Sequence, residues 1–474
     1  MKKLLLLFVL VLGAVVLVGC KRPPSNDGLH IVPPYDLPET ADYNGSSVTI
    51  KFWHRMGAAS QLLIQSYITE FNAIYPNIHV VEEKPAADYV ALAEATSLAI
   101  SAGDEPDIVE SYPDHVAKYA EAKAPLPLNS FISNPNIGFS AEEIADFLPG
   151  LWAEGKTYDK AESIMSLPFS KSSEAFFYNK TYFDAHNYTV PETWEELFAL
   201  AEIIKSSEAA LGHNVMPFGY DSEDNLFITA SAQKNINYTG FDENGKGRVL
   251  FNNEDSKNMM RYFKEKYNAG LMTTRSLNND AYSSDLFKVQ NLYMEVGSTG
   301  GTRYNIPTNR TFEVGVAPVP YFEGGLQKQI QQGPNISLFK KTGANAEQRM
   351  IAAWLFAKFL TSPEKTAKFA TESGYIPVRQ SAFQSATYLA WEAGIKENPT
   401  TDKEAQDRLV RDVFNVFLAS QDRFFTSIVF NLGAKTRTEV GKLLAEILAY
   451  PGTGADLDKF INDTYRDHYN YIIS

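Results

Sequence analysis

The chain contains one cysteine in 474 residues, Cys20, so no disulfide can staple it and no multi-cysteine metal site can form within it. Stability must then come from buried apolar surface, which a hydrophobic content of 44% can supply. Histidine is sparse as well, and the seven at positions 30, 54, 79, 115, 186, 213 and 468 show no ligand spacing. There is no Gly-x-Ser-x-Gly elbow, no His-Glu-x-x-His and no complete Gly-x-x-x-x-Gly-Lys-Ser/Thr loop, since Gly240 to Lys246 has the spacing but Gly247 stands where the hydroxyl belongs. Those absences remove the motif-bearing hydrolases, metalloproteases and nucleotide hydrolases. Positive charge is in deficit: 43 Lys and Arg against 57 Asp and Glu leave −14. Such a chain repels phosphodiester backbones and anionic lipid, so nucleic acid is not an expected partner.

Long apolar runs are missing too, with one exception. Leu4 to Val18 runs 15 residues behind Met1-Lys2-Lys3. As a helix it would rise about 22 Å, short of a hydrocarbon core of roughly 30 Å. It therefore reads as an export signal and not as a span. Leu17-Val18-Gly19-Cys20 resembles a bacterial lipobox, which implies a lipoprotein signal peptide over 1–19 and lipidation of Cys20. Loss of those residues would remove two lysines and no acid, making the chain still more acidic. Residues 20–46 carry Pro23-Pro24, Pro33-Pro34, Pro38 and Asn44-Gly45 and predict a core-free tether.

The rest exceeds what one hydrophobic core usually supports, so two lobes are expected. Val48 to Trp53 alternates apolar and polar as a half-buried strand does. Leu63, Ile64, Tyr67, Ile68 and Phe71 share one helical face, closed by Tyr75-Pro76-Asn77. Ile78 to Val81 reads as a second strand, Tyr89–Ser101 as a helix ending at Gly103, and Asp107-Ile108-Val109 as a third strand. That succession predicts βαβ units on a parallel sheet. Further on, Thr193 and Glu196 form a capping-box pattern before the stripe Leu197, Leu200, Ala201 and Ile204. Asn291–Val296, Phe312–Val319 and Ile336–Phe339 read as strands, and the chain after Glu347 as mostly helical.

Asp242-Glu243-Asn244-Gly245-Lys246-Gly247 resembles the start of a calcium loop, yet Lys246 occupies a ligand position and Asn253 stands where a bidentate Glu belongs. It reads as a plain turn. Carboxylates are plentiful, and a pair meeting in space could serve a glycosidase, so an exported glycan-cleaving lipoprotein stands as the alternative function. Several loops fall at strand ends, where open α/β sheets bind ligands. They are Trp53–Gly57, Tyr112-Pro113-Asp114, Ser170–Ser173 and Gly297–Gly301.

An ordered series of segments then resembles the family 1 extracellular solute-binding proteins, receptors of carbohydrate-type ABC importers. It comprises Ile50–His54, Phe71-Asn72 with Pro76-Asn77-Ile78, Gly103–Val109, Leu167–Ser170 with Phe177-Tyr178-Asn179, and Pro191–Leu197. Val314–Pro320, Gly333-Pro334-Asn335, Phe359–Glu364 and Gly374–Val378 complete it, over roughly residues 47 to 465. Within the family the chain looks closest to the glycerol-3-phosphate-binding receptors. The resemblance implies ligand contacts at Tyr89, Ser172, Ser298, Gly333, Tyr375 and Arg437. An acid that follows the tyrosine in that subgroup is replaced here by Pro113, with Asp114 one place later. Trp53 is a further candidate platform.

The resemblance implies an α/β fold of the type II periplasmic-binding-protein class: two α/β lobes, a hinge and a helical C-terminal region. Lobe one is expected at 46–170 plus 291–340, and lobe two at 175–288 plus 345–474. It also implies a sugar or glycerol-3-phosphate-like polyol as ligand, an ABC permease as partner, no cofactor or metal, no enzymatic activity, and a monomer tied to a bacterial membrane. Replacing Cys20 with Ala should move the protein from the membrane fraction to the soluble fraction, with loss of an acyl-modified N-terminal peptide by mass spectrometry. A variant still membrane-bound would refute the anchor.

Overall fold

The computed structural model describes residues 30–474, so the expected signal peptide and Cys20 lie outside the described residues. Among those described, no helix is long and apolar enough to cross a membrane. In chain order the strands are β1 (Val48–Trp53), β2 (Ile78–Glu83), β3 (Ile108–Ser111), β4 (Leu167–Pro168), β5 (Ser172–Asn179), β6 (Phe218–Tyr220) and β7 (Thr239–Phe241). There follow β8 (Gly247–Val249), β9 (Met272–Thr274), β10 (Met294–Ser298), β11 (Val314–Ala317), β12 (Gln329–Gln332), β13 (Asn335–Leu338) and β14 (Phe424–Phe425).

Two large sheets take all but β7 and β8, which pair by themselves. The first runs β2-β1-β3-β13-β4, with β1 parallel to β2 and β3, and β13 antiparallel to β3 and β4. The expected βαβ start is thus present. The helix Ala58–Ile74 buries Ile64, Tyr67 and Phe71, and the helix Tyr89–Ala102 ends on Gly103 in a left-handed conformation. The second sheet runs β14-β12-β5-β10-β6-β9, with β11 sharing an edge of β5. Its core includes Trp194 at the start of the helix Trp194–Ala210, whose Thr193–Glu196 capping box is formed. The buried Trp194 indole donates to Gln233 Oε1 at 2.8 Å, so its one polar atom is satisfied. The Asp242–Gly247 stretch is the turn between β7 and β8, where the Asp242 carboxylate accepts from Asn244 N, Lys246 N and Arg248 Nε.

Pairing divides the later chain differently from the expected segments. Of 291–340, β10, β11 and β12 join the second sheet and β13 alone joins the first. The helix Ala346–Leu360, expected in lobe two, packs Ile351, Trp354 and Phe356 into the first core. The cause is topological: β10 inserts between β5 and β6, a neighbour relation that periodicity along the chain does not encode.

The tether expected over 20–46 is also corrected for its described part. Val32 is buried beside Val116 and Tyr158, and Leu37 and Ala41 enter the first core. Ser130 Oγ donates to the Tyr35 carbonyl at 2.5 Å, Asn134 Nδ2 to Pro38 O at 3.0 Å and Asn136 Nδ2 to Ala41 O at 3.2 Å. The prolines keep this strap extended, leaving its carbonyls free for those side-chain donors.

The chain crosses between lobes at Phe169–Lys171 and again at Gly333-Pro334. Lys171 is fully buried, and its ammonium donates to Glu154 Oε2 at 2.6 Å, the Gly333 carbonyl at 2.6 Å and Asn335 Oδ1 at 3.2 Å. The crossings lie so close that a Cβ on Gly333, at φ +97°, would stand 2.2 Å from the Ser170 carbonyl. Only glycine fits there. Replacing Glu154 with Leu should leave a buried ammonium without its counter-charge and cost about 3–5 kcal/mol. Urea unfolding checks this, and a loss below about 1 kcal/mol would reduce the pair to the rank of a surface bridge.

Candidate functional site

The space between the lobes is built from the carboxyl ends of strands and the loops after them. On the first lobe Glu110, one residue before the end of β3, is almost wholly buried and organises its surroundings. Its Oε1 accepts from Ser170 Oγ at 3.0 Å and from the Tyr89 hydroxyl at 3.2 Å, and its Oε2 from the Arg55 amide at 3.2 Å. Burial raises its carboxyl above the usual range despite those donors. Tyr89 begins the helix capped by Asp88, and Tyr112 meets its ring edge-on at 5.0 Å. The Arg55 guanidinium lies 4.7 Å from the Tyr89 ring centre, a cation–π distance. Tyr375 stacks on Phe369 at 5.7 Å. Burial pushes its phenol up, with the Glu110 charge adding to the effect. It faces the loop after β10, where a Cβ on Gly300 would come within 3.0 Å of the ring.

On the second lobe Arg437, in the helix Gly433–Ala449, is held by Asp224 Oδ2 at 2.5 Å, by Asn225 Oδ1 and by Gln332 Oε1 at 3.4 Å. Asn225 Nδ2 donates in turn to Glu174 Oε1 at 2.8 Å, and Tyr220 to Glu174 Oε2 at 2.6 Å. Burial pushes the Glu174 carboxyl up to about 8. The lobes meet where a Cβ on Gly433 would be 2.4 Å from Asp114 Oδ1, and where Asn431 Nδ2 donates to Glu121 Oε1 at 2.6 Å. Burial pushes Asp114 up to about 7, against the pull of Arg437 and aided by repulsion from Glu154.

The eight candidate residues therefore separate. Tyr89, Asp114, Tyr375 and Arg437 come together around Tyr112, which meets the Tyr89 ring and feels both Tyr375 and Arg437, while Arg437 acts on Asp114. Ser298 sits at the edge of the interlobe space, its Oγ accepting from Gly300 N at 3.2 Å. Ser172, paired with Gln332, and Gly333 belong to the crossings. Trp53 is not brought to the group: its indole donates to Glu83 Oε2 at 2.5 Å and packs with Leu92, Ala93 and Val109. Strand alternation turns it to the sheet face that those residues cover. Sequence reasoning passed over Arg55, Glu110, Ser170, Glu174, Asp224, Asn225 and Gln332. A signal existed for Glu110, a carboxylate inside the apolar strand Ile108–Ser111, and for Arg55, in a loop already marked at a strand end. Among the described residues, no group of three or more His, Cys, Asp or Glu is placed to hold a metal ion.

A family model of the bacterial extracellular solute-binding proteins matches residues 66–397. The sn-glycerol-3-phosphate-binding periplasmic protein UgpB of Escherichia coli K12 is 26% identical over 369 residues, 76% of this chain and 80% of that protein. Among solved structures, the GacH receptor of Streptomyces glaucescens, solved unliganded and with acarbose, has a TM-score of 0.67 at 17% identity, over 89% of this chain and 98% of that one. UgpB of Mycobacterium tuberculosis in complex with glycerophosphocholine has a TM-score of 0.65 at 18% identity, over 90% and 98%. The fold is thus the type II periplasmic-binding architecture, two α/β lobes with many helices.

Two of the raised carboxyls, Asp114 and Glu174, set a pH dependence. An unfolded aspartate or glutamate gives up its proton near pH 4, whereas folded Asp114 keeps its own to about 7 and Glu174 to about 8. Between those values the folded state holds the extra protons, so these groups make stability fall as pH rises. Thermal melts from pH 4 to 8 should show that fall, and Asp114→Asn should flatten it below pH 7. An unaltered slope in the variant would refute the assignment.

Proposed function

The chain belongs to the bacterial extracellular solute-binding proteins, and from that premise we propose that it captures a sugar or a glycerol-3-phosphate-like polyol between its lobes and delivers it to an ABC permease. The observation that carries this reading is convergence. Tyr89, Tyr375 and Asp114 from the first lobe and Arg437 from the second face one space, with Arg55 and Glu110 beside them. Tyrosines offer flat apolar faces and hydroxyls, while carboxyls accept from ligand hydroxyls, a combination suited to polyhydroxylated molecules. A ligand that touches both lobes binds the closed state better, shifts the balance toward it, and so lets a permease read closure as occupancy. Micromolar affinity needs about −8 kcal/mol, within reach of several hydrogen bonds of about 1 kcal/mol each together with ring contacts.

The two arginines take different parts in this reading. Arg437 is already engaged by Asp224, Asn225 and Gln332, so it positions those groups and presents its remaining edge to ligand. Arg55 has no carboxylate partner for its guanidinium among the described residues, and its Nε is buried without an acceptor. An anionic oxygen on the ligand would meet Arg55. Outside the cytoplasm, a lipid on Cys20 and a monomeric state complete the proposal.

A thermal-shift screen over sugars, polyols and glycerophosphodiesters tests it. At least one compound should raise the melting temperature and be recovered unchanged, and silence across all three classes would sink the reading. Tyr89→Ala and Tyr375→Ala should each weaken that ligand by about 1–3 kcal/mol. Arg55→Ala should abolish binding of a phosphate-bearing ligand while sparing a neutral one.

A further inference from the structure

Within the second lobe β10 and β6 run parallel, with Glu295 opposite Gly219, and the Asp221 amide just beyond β6 donates to the Val296 carbonyl at 3.0 Å. Alternation puts Glu295, Gly297 and Asp221 on one face. Glu295 is fully buried, and neither of its carboxylate oxygens has a donor. The bare Cα of Gly297 leaves a gap among them. A Cβ built there would have Glu295 Oε1 at 3.2 Å, Glu295 Oε2 at 3.3 Å and Asp221 Oδ2 at 3.3 Å. Asn305 ends the turn Thr299–Asn305 that follows β10. It is buried, its amide Nδ2 is turned toward the Glu295 carboxylate, and its Oδ1 is without a partner.

Two carboxylates turned to one gap in a dry interior are held ionised together only by something positive between them. The charge acting on Glu295 is that of Asp221, of the same sign, and Arg275 reaches only Asp221. A shared proton, with the Asn305 amide turned to the other Glu295 oxygen, would still leave Asn305 Oδ1 orphaned. A hard cation accepts all of these oxygens. Calcium takes six to eight oxygens at roughly 2.3–2.6 Å, carboxylates often by both oxygens, in loose geometry that tolerates water in the remaining places. Asp221 is only partly buried and gives solvent a way in, while its Oδ1 is fixed by the Ser283 amide at 2.6 Å. We propose that Glu295, Asp221 Oδ2 and, with its amide turned over, Asn305 Oδ1 form an oxygen-only site for one divalent calcium ion beside the Gly297 gap. It ties the ends of β6 and β10 to the loop that carries Ser298 and Gly300, and so steadies the wall that Tyr375 faces.

The test is calcium binding by the chelator-treated full protein, read by equilibrium dialysis with metal analysis and by calorimetric melting. Wild type should take up one calcium per chain and melt several degrees higher in millimolar calcium. Glu295→Gln should lose uptake and the calcium-dependent rise while retaining the thermal shift produced by an organic ligand, and Gly297→Ala should lose uptake. Absence of uptake by wild type overturns the proposal, as does equal uptake by Glu295→Gln. A Glu295→Gln protein that melts higher than wild type, with wild type indifferent to calcium, also overturns it and identifies a shared proton instead.

Discussion

The two halves are registered to each other by one buried ammonium. Lys171 sits where two strands cross between the sheets, and its three donors reach a carboxylate, a backbone carbonyl and an amide oxygen from separate parts of the chain. A lone ammonium there would be intolerable, so Glu154 must be present, and Gly333 must lack a side chain for the crossing to close. The carboxyl end of β3 and the start of β5 are placed by that crossing, and with them Glu110, Ser170 and Glu174.

What the crossing positions is a pair of walls each braced by its own hydrogen bonds, with the Arg55 Nε of the first left open. On the first, Glu110 gathers Tyr89, Ser170 and the Arg55 amide. On the second, Asn225 links Glu174, Gln332 and Arg437. Each wall keeps its shape without the other, so a guest pays little to organise it. Affinity then depends on how many groups of the two walls one molecule can touch together.

Local chemistry was legible in the sequence. The Thr193–Glu196 capping box, the left-handed Gly103 and the strand Val48–Trp53 all follow from residues within a few positions of one another. Relations between distant segments were not. Nothing near Met294–Ser298 says that its neighbours are β5 and β6, and nothing in the proline-rich strap announces that Asn134 and Asn136 will bind its carbonyls. The ordered resemblance supplied the two-lobe plan and pointed to Tyr89, Tyr375 and Arg437. It could not supply Arg55 or Glu110, whose partners are defined only when β1 and β3 lie side by side. Trp53 misled because a large aromatic at a strand end fits either sheet face, and alternation gave it the covered one.

The helix Asp402–Ala419 belongs to both halves. Phe417 enters the first core, Leu409 and Val413 lie against β5 and β11, and Val410 and Phe414 pack on the helix Pro363–Ser373 and its neighbours. Along this helix three apolar clusters drawn from both halves sit in succession. At Asn431 and Gly433 the halves share a hydrogen bond and a grazing approach to Glu121 and Asp114. Val429, just before them, is buried among Val32, Val116 and Tyr158. The halves are thus clasped by apolar contact at two separate places, and any guest between them must outweigh both clasps to change how they sit.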